Sequence, residues 1–263
     1  MLPTLKIQSD SEITFVIQGI VNDHTIKTID SIDRFFPRSP IILSVHRSNQ
    51  PRISCDSDKF TYLEIPDPGE SKNNLRRQIA TSRAGLELVK TPFACKIRSD
   101  VEFVHGGLLD AYNAHLPSVP SSSMCRQPVG ILDVFTYHPH TLPLFLSDFI
   151  AIGLTSDVKE IFNCPLPVKD MDIIVPETNP RMFAGTRIGP EQYLAWSAMG
   201  VLFNSAKGFS SDAEKEISYD CLKKEYIVLD ITRQAGLIWH KNLHVERMAE
   251  RDCLHNEGWK NLC

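Results

Sequence analysis

The chain has 263 residues, a formal net charge of −4, 42% hydrophobic residues and 23% charged residues. These values are ordinary for a globular protein, so they exclude disorder, collagen and coiled coil as the main state. The acidic balance argues against a nucleic-acid partner, because duplex-binding proteins usually carry a strong basic excess.

Several common sequence signals are missing. The N-terminal residues lack a basic stretch followed by an apolar run, and the best apolar candidate, 142–154, is too short and too polar to span a bilayer. The seven cysteines form no C-x-x-C pair, which predicts reduced thiols and a cytoplasmic location. The absence of G-x-S-x-G, P-loop, Rossmann glycine and H-E-x-x-H motifs removes most hydrolases, kinases, dehydrogenases and metalloproteases.

The first part of the chain predicts alternating strands and helices. Short β-branched apolar runs indicate buried strands, and apolar residues every three or four positions indicate helices. The predicted order is strand 13–20, helix 25–36, strand 40–45, strand 62–65, a helix capped by Ser71 or Asn73 and ending at 90, and strand 93–98. This alternation is typical of an α/β sheet with crossover helices.

The second half has a weaker pattern. It predicts strands at 132–135, 149–154 and 226–230, helices at 156–162 and 191–198, and loops at 116–128 and 163–190. The two predicted loops are rich in proline, which breaks regular periodicity. We expect one domain over residues 1–245 and a polar C-terminal tail over 246–263.

Two carboxylates, Asp100 and Glu102, follow the predicted strand 93–98. Open α/β sheets bind ligands at the carboxyl ends of their strands, where two carboxylates can hold Mg²⁺ or Mn²⁺ that neutralises a diphosphate. Lys96 and Arg98 alternate along the same strand, so they share a face and could add phosphate charge compensation. The alternative is a solvated acidic turn after a strand.

Two arginines stand at the start of the second predicted helix. Arg76 and Arg77 oppose the helix dipole there unless an anion lies nearby, which favours a phosphate site. Gln18 and Gly19 end the first strand, and glycine lets a ligand approach the backbone closely. The alternatives are a solvated helix face and an ordinary turn.

Three further side chains are candidates for chemistry. Asp148 and Glu191 each lie beside aromatic residues, and such carboxyl groups can act as a general base or bind sugar hydroxyls. His240 could complete a metal shell. The alternatives are helix or turn capping for the carboxylates and a structural role for the histidine.

Several segments together resemble the WavE-type lipopolysaccharide-synthesis proteins over roughly residues 12–240. The most specific feature is an N-x-x-R-Q helix start followed by K-x-R-S-D, in EIPDPGESKNNLRRQIATSRAGLELVKTPFACKIRSD; the weaker segments are ITFVIQGIV, PIILS, LFLSDFIAIGL and PEQYL. That family is similar to nucleotide-sugar glycosyltransferases of the GT-A type. The resemblance implies a single GT-A-like Rossmann-type domain whose mixed, mainly parallel sheet is flanked by helices.

The resemblance also implies a role for each candidate residue. It makes Asp100 the metal carboxylate and Glu102 the second acid, and it puts Gln18 near the base or ribose, Arg76 and Arg77 at the diphosphate or donor sugar, and Asp148 and Glu191 on the acceptor side. One position departs from the pattern, because a full D-x-D would need an acid where this chain has Arg98. The alternative to metal binding is therefore a direct contact between Arg98 and phosphate.

The function that this resemblance implies is sugar transfer from a nucleotide-sugar donor to a growing surface polysaccharide, either lipopolysaccharide or capsule. It implies manganese or magnesium as cofactor and a lipid-linked glycan acceptor. We expect a peripheral contact with the inner face of the membrane through Trp239, Trp259 and cations of the C-terminal third. Two alternatives stay open: a sugar nucleotidyltransferase, which should carry a Gly-rich loop and a basic residue after the first strand, and a non-catalytic assembly subunit.

Overall fold

The computed structural model describes residues 4–47, 52–53, 57–71, 74–116, 125–167, 190–198, 212–240 and 258–259. Its strands are β1 (Ile13–Gln18), β2 (Ile41–His46), β3 (Phe60–Ile65), β4 (Phe93–Arg98), β5 (Val101–Phe103), β6 (Val129–Leu132), β7 (Ile150–Leu154), β8 (Tyr226–Leu229) and β9 (Leu237–Trp239). Its helices are α1 (Asp23–Phe35), α2 (Leu75–Glu87), α3 (Leu108–His115), α4 (Thr155–Phe162), α5 (Pro190–Ala198) and α6 (Asp212–Glu225).

The described strands form one seven-stranded sheet and one two-stranded sheet. The larger sheet has the order β3-β2-β1-β4-β7-β6-β8, and β5 pairs with β9. The β1–β2, β2–β3, β1–β4 and β6–β8 pairs are parallel, whereas β7 is antiparallel to both β4 and β6. The mixed, mainly parallel Rossmann-like sheet expected from the sequence is therefore confirmed. In β1 and β4 every residue but the last is buried, which is typical of central strands in a mainly parallel sheet.

Polar side chains accept hydrogen bonds from free backbone N–H groups at the starts of α1 and α2. Asn22 precedes α1, and its side chain accepts hydrogen bonds from the backbone N–H groups of His24 and Thr25. At α2, the N-cap position belongs to Asn74, whose side chain makes no capping hydrogen bond, but the predicted Ser71 hydroxyl accepts from the N–H of Arg76 at 2.9 Å. The other predicted cap, Asn73, lies outside the described residues. Asn74 has a left-handed conformation with φ 56°.

The elements of the first part are confirmed with small shifts of their ends, as are β7, α4, α5 and β8. The strand predicted at 132–135 is wrong, since β6 occupies Val129–Leu132. The chain turns after β6, where Phe135 has a φ of 58° that no strand allows. No pattern in the sequence predicted β5, α3, α6 or β9. The predicted loops fall mostly outside the described residues, at 117–124 and 168–189, as does all of the predicted tail except 258–259.

The tryptophans offered as membrane contacts are engaged inside the molecule. Trp259 is 1% exposed, its indole N–H lies 3.5 Å from the Leu222 carbonyl oxygen, and its ring packs near His115. Trp239 hydrogen-bonds to Asp100. The expectation that Trp259 inserts into headgroups is therefore wrong, and a peripheral membrane contact stays a prediction. Within the described residues, every helix is too short or too polar to cross a bilayer.

Helix α2 lies directly against the sheet because it carries a glycine at the contact. A Cβ atom on Gly85 would stand 2.5 Å from Val16 Cγ1 and 3.0 Å from Ser44 Cβ. Ser44 also donates a hydrogen bond to the Thr81 carbonyl oxygen at 2.7 Å. This close approach brings the first turns of α2, with Arg76, Arg77 and Gln78, towards the edge where β1 and β4 end.

Replacing Gly85 with alanine should lower the free energy of unfolding. The new methyl group overpacks the contact with the stiff Val16 side chain, at a cost of ~1–3 kcal/mol, which exceeds the gain of ~1 kcal/mol in helix propensity. Urea denaturation of Gly85→Ala, Val16→Ala and the double variant measures the effect. Because Val16→Ala removes the nearest clashing atom, the loss should shrink in that background. Equal losses in both backgrounds would contradict the close packing of α2 on β1.

Candidate functional site

The carboxyl ends of β1 and β4 lie side by side and form the floor of the candidate site. Gln18 is the register partner of Arg98, and the Ser99 N–H donates to the Gln18 carbonyl oxygen at 2.9 Å. Gly19 has a φ of 148°, and a Cβ atom there would overlap the Ser99 hydroxyl. Only glycine fits this turn, because the Ser99 side chain packs where a Cβ atom would stand. A close approach of a ligand to the Gly19 backbone stays a prediction.

Arg98 is the centre of the polar cluster at this edge. Its Nε and Nη2 donate to the two carboxylate oxygens of Asp100, each at 2.9 Å. Nη1 lies 3.7 Å from Asp148 Oδ1, and the guanidinium stands 4.6 Å from the centre of the Phe149 ring. Burial lowers the pKa of Arg98, but Asp148 and Asp100 outweigh it and raise that pKa overall. The guanidinium is therefore a permanent, largely enclosed positive charge.

Asp148 is held from two further sides. The Gln78 side chain of α2 donates to Asp148 Oδ2, and the Lys96 ammonium donates to the Asp148 carbonyl oxygen at 2.5 Å. Lys96 is fully buried with its Nζ over the Phe162 ring, and burial lowers its pKa to about 8. Lys96 and Arg98 do share a face, as predicted. A direct contact between Lys96 and phosphate is not compatible with this burial, so Lys96 instead positions the Asp148 loop.

Glu191 lies in the first turn of α5 and completes the carboxyl pair. Burial, with the nearby charge of Asp148, raises the pKa of Glu191 to about 8, so this carboxyl holds its proton at neutral pH. Glu191 Oε2 and Ser147 Oγ are buried without a hydrogen-bond partner among the described residues. Both side chains line a cavity of about 20 Å³, which is enough for one water molecule.

Glu102 and His240 form a second, adjacent pair. The β5–β9 ladder places them so that His240 Nε2 lies 2.7 Å from Glu102 Oε2. The His240 N–H also donates to the Asp100 carbonyl oxygen at 3.1 Å. The ring of His24, from the first turn of α1, stacks on His240 with 4.7 Å between the ring centres.

The three predicted metal ligands are therefore engaged with other partners. Asp100 is bound by Arg98 and by Trp239, whose indole N–H donates to Asp100 Oδ2 at 3.1 Å, while Glu102 and His240 bind one another. In the part of the chain that the structure describes, no three His, Cys, Asp or Glu side chains are arranged to hold a metal ion. This arrangement does not fit a divalent cation. Metal binding by Asp100, Glu102 and His240 stays a prediction without support from the geometry.

Arg76 and Arg77 contact the loop that follows β3. Arg77 makes a two-point ion pair with Asp67, at 3.0 and 2.7 Å, and this contact lowers the pKa of Asp67 to about 2. Arg76 donates to the carbonyl oxygens of Pro68 and Pro167. The anion that offsets the unfavourable helix position of Arg77 is thus Asp67. A role of either arginine at the diphosphate or donor sugar stays a prediction.

Sequence reasoning missed several side chains of this cluster. Gln78 lies within the N-x-x-R-Q segment but was not assigned a role, and His24, Phe135, Phe149 and Trp239 carried no pattern that points to a site. Phe135 packs against the rings of Phe149 and Trp239 with a φ of 58°. Such a conformation costs ~1–3 kcal/mol for a bulky residue. The packing of Phe135 against Phe149 and Trp239, the two rings beside Arg98, must therefore offset this strain.

The comparisons with known proteins indicate one family. The family model described as WavE lipopolysaccharide synthesis matches residues 13–262. Comparison with curated proteins gives no match. Among solved structures, the chain is similar to the bifunctional IspDF from Campylobacter jejuni, with 15% identity, a TM-score of 0.37, and coverage of 60% of this chain and 45% of that one. The chain thus spans less than half of that structure, and this likeness carries no functional argument.

The protonated carboxyl of Glu191 predicts a specific pH dependence of stability. Its pKa is about 8 in the folded state against an ordinary value of 4.5, so the folded state binds the extra proton between these values. The free energy of unfolding should therefore fall as pH rises through this window, and Glu191→Gln should flatten the fall. Chemical denaturation at several pH values measures it, with Glu87→Gln as an exposed control on α2. If Glu191→Gln showed the same pH dependence of the free energy of unfolding as wild type, a protonated Glu191 would be contradicted.

Proposed function

This chain belongs to the WavE lipopolysaccharide synthesis family, and we propose that within lipopolysaccharide synthesis it is a glycosyltransferase that uses a nucleotide-sugar donor. The observation that carries the proposal is Arg98, an enclosed cation at the carboxyl end of β4 with Asp148 and Glu191 beside it. Glycosyl transfer with inversion at the anomeric carbon uses a positive charge for the leaving diphosphate and a carboxylate as base for the acceptor hydroxyl.

The donor occupies the edge where β1 and β4 end. Gln18, half-exposed at the end of β1, contacts the base or ribose. Arg98 has 26% of its side chain exposed and carries five N–H donors, of which two bind Asp100. The remaining donors are available to the diphosphate, with which a guanidinium makes charge-assisted hydrogen bonds.

The two carboxyl groups have different roles because their environments differ. Asp148 is ion-paired with Arg98 and fixed by Gln78, so it is the carboxylate that accepts the proton of the acceptor hydroxyl. The hydroxyl oxygen then bonds to the anomeric carbon while the bond from that carbon to the diphosphate breaks. Glu191 keeps its own proton at neutral pH and leaves Asp148 as the base. The charge that develops on the diphosphate is stabilised by Arg98.

Two other functions agree less well with these features. A nucleotidyltransferase should carry a Gly-rich loop with a basic residue after β1, but the chain continues as Gly19-Ile20-Val21 into the Asn22 cap of α1. A non-catalytic assembly subunit would keep the fold without needing a proton-accepting carboxylate beside a cation. Donor hydrolysis and transfer assays separate it from an enzyme.

Nucleotide binding provides the first test of the proposal. A panel of nucleoside diphosphates titrated into the full chain, followed by calorimetry, should identify at least one that binds. Arg98→Gln should weaken that binding by ~1.5–3 kcal/mol, the scale of a hydrogen bond to a charged group. Arg38→Gln is the matched control, because Arg38 also pairs with an aspartate, Asp10, but lies before β2 at the opposite end of the sheet.

Arg98→Lys serves as a second variant in case Arg98→Gln fails to fold, since it keeps the charge beside Asp100 and Asp148. It should retain fold and lose part of the affinity, because lysine cannot reproduce the two-point geometry. If both variants bind as tightly as wild type, or if no nucleoside diphosphate binds at all, this site is not the donor site.

Removal of the proposed base tests the chemistry separately from binding. Asp148→Asn keeps the shape of the side chain but cannot accept the hydroxyl proton, so transfer should fall about 10²–10⁴-fold while nucleoside diphosphate affinity changes little. Asp10→Asn is the control for a general effect of removing a paired aspartate. Transfer at the wild-type rate in Asp148→Asn would assign the base to another residue.

A further inference from the structure

We propose that the donor site operates without a divalent metal, with the Arg98 guanidinium as the cation that compensates the diphosphate. This inference rests on the proposed function, since it concerns how the same site binds the donor. It also reverses the expectation drawn from Asp100 and Glu102 in the sequence. The proposal rests on the two-point contact of Arg98 with Asp100, to which the indole N–H of Trp239 adds a third hydrogen bond.

A metal ion at Asp100 would need the carboxylate oxygens of this residue as ligands. Both carboxylate oxygens of Asp100 accept a hydrogen bond from Arg98 at 2.9 Å, and Oδ2 accepts a second one from Trp239 at 3.1 Å. The Asp100 side chain is only 4% exposed. A metal ion could bind Asp100 only after displacing an enclosed guanidinium from its partner, which leaves a buried charge uncompensated.

Displacement from Asp100 would leave the charge of Arg98 without its nearest partner. Arg98 lies against one aromatic wall, since the ring centres of Phe149 and Trp239 are 4.6 and 5.9 Å from its guanidinium and 5.1 Å from each other. A guanidinium that left Asp100 would lose these cation–π contacts, and one that stayed would repel the arriving divalent ion. The contact of Arg98 with this wall thus opposes metal binding at Asp100.

The other acidic groups near Arg98, Glu102 and Asp148, also have partners. Glu102 is paired with His240 at 2.7 Å, and Asp148 is shared by Arg98 and Gln78. Around Asp148, two cations, Lys96 and Arg98, stand beside the carboxylates. Lys96 and Arg98 balance Asp100 and Asp148, so the carboxylates nearest Arg98 present no net negative charge to a dication, whereas the exposed part of Arg98 can make charge-assisted hydrogen bonds to a diphosphate.

The experiment compares Mn²⁺ binding and nucleotide binding in the full chain. The first measurement titrates Mn²⁺ alone into wild type and follows free Mn²⁺ by electron paramagnetic resonance. The second measures the Kd of the nucleoside diphosphate that the panel identifies, in EDTA and in Mn²⁺. Asp100→Asn is the diagnostic variant and Asp10→Asn the matched control. Glu102→Gln replaces the diagnostic variant if Asp100→Asn fails to fold.

The expected result is no Mn²⁺ uptake that depends on Asp100 or Glu102, and a nucleotide Kd that changes by less than about threefold between EDTA and Mn²⁺. Metal neutralisation of a diphosphate contributes several kcal/mol, so a metal-dependent site would lose about a hundredfold or more in EDTA. That loss, or one Mn²⁺ bound by wild type and lost in the diagnostic variant, overturns the proposal.

The two measurements also separate this inference from the proposed function. If no nucleoside diphosphate binds in either buffer, the donor site itself is disproved. The Mn²⁺ titration then decides the inference alone: Asp100- or Glu102-dependent uptake overturns it, and its absence upholds a cation position filled by Arg98.

Discussion

Charge compensation of the partly buried Arg98 guanidinium is the constraint on which the rest of the candidate site depends. A cation placed against the rings of Phe149 and Trp239 needs carboxylates beside it, and the structure supplies Asp100 and Asp148. Each of these partners comes from a different part of the chain. The requirement for compensation therefore ties the end of β4 to the segment before β7, and through Trp239 to β9.

The fold satisfies this constraint with close contacts between α2 and the sheet. Gly85 lets α2 approach β1 and β2, and Gln78 on the same helix then reaches Asp148. Lys96 holds the same loop from inside the protein through the Asp148 carbonyl oxygen. The carboxyl group that we assign as the base is thus fixed by the core and by a helix, which limits its motion during the reaction.

The site also separates two carboxyl groups by their surroundings. The Oε2 atom of Glu191 is buried and its carboxyl lies near the charge of Asp148, so Glu191 retains a proton, whereas Asp148 has a cation beside it. Two acids that differ in this way can perform different steps at one pH. The two arginines at the start of α2 have other partners. Arg77 is paired with Asp67, and Arg76 links two loops through the carbonyl oxygens of Pro68 and Pro167.

The sequence by itself determined the elements whose residues carry a local pattern. Continuous apolar runs predicted β1, β4 and β7, helical spacing predicted α1 and α2, and strand ends marked Gln18, Arg98 and Asp100 as neighbours of a ligand edge. The tertiary structure decided which of these groups are free to act. The Glu102–His240 pair, the burial of Lys96 and the contact of Gln78 with Asp148 depend on how distant strands pair and how helices pack. Residue spacing records which side chains share a local face, but it contains no information on partners more than a hundred positions away, such as Trp239 and Asp100.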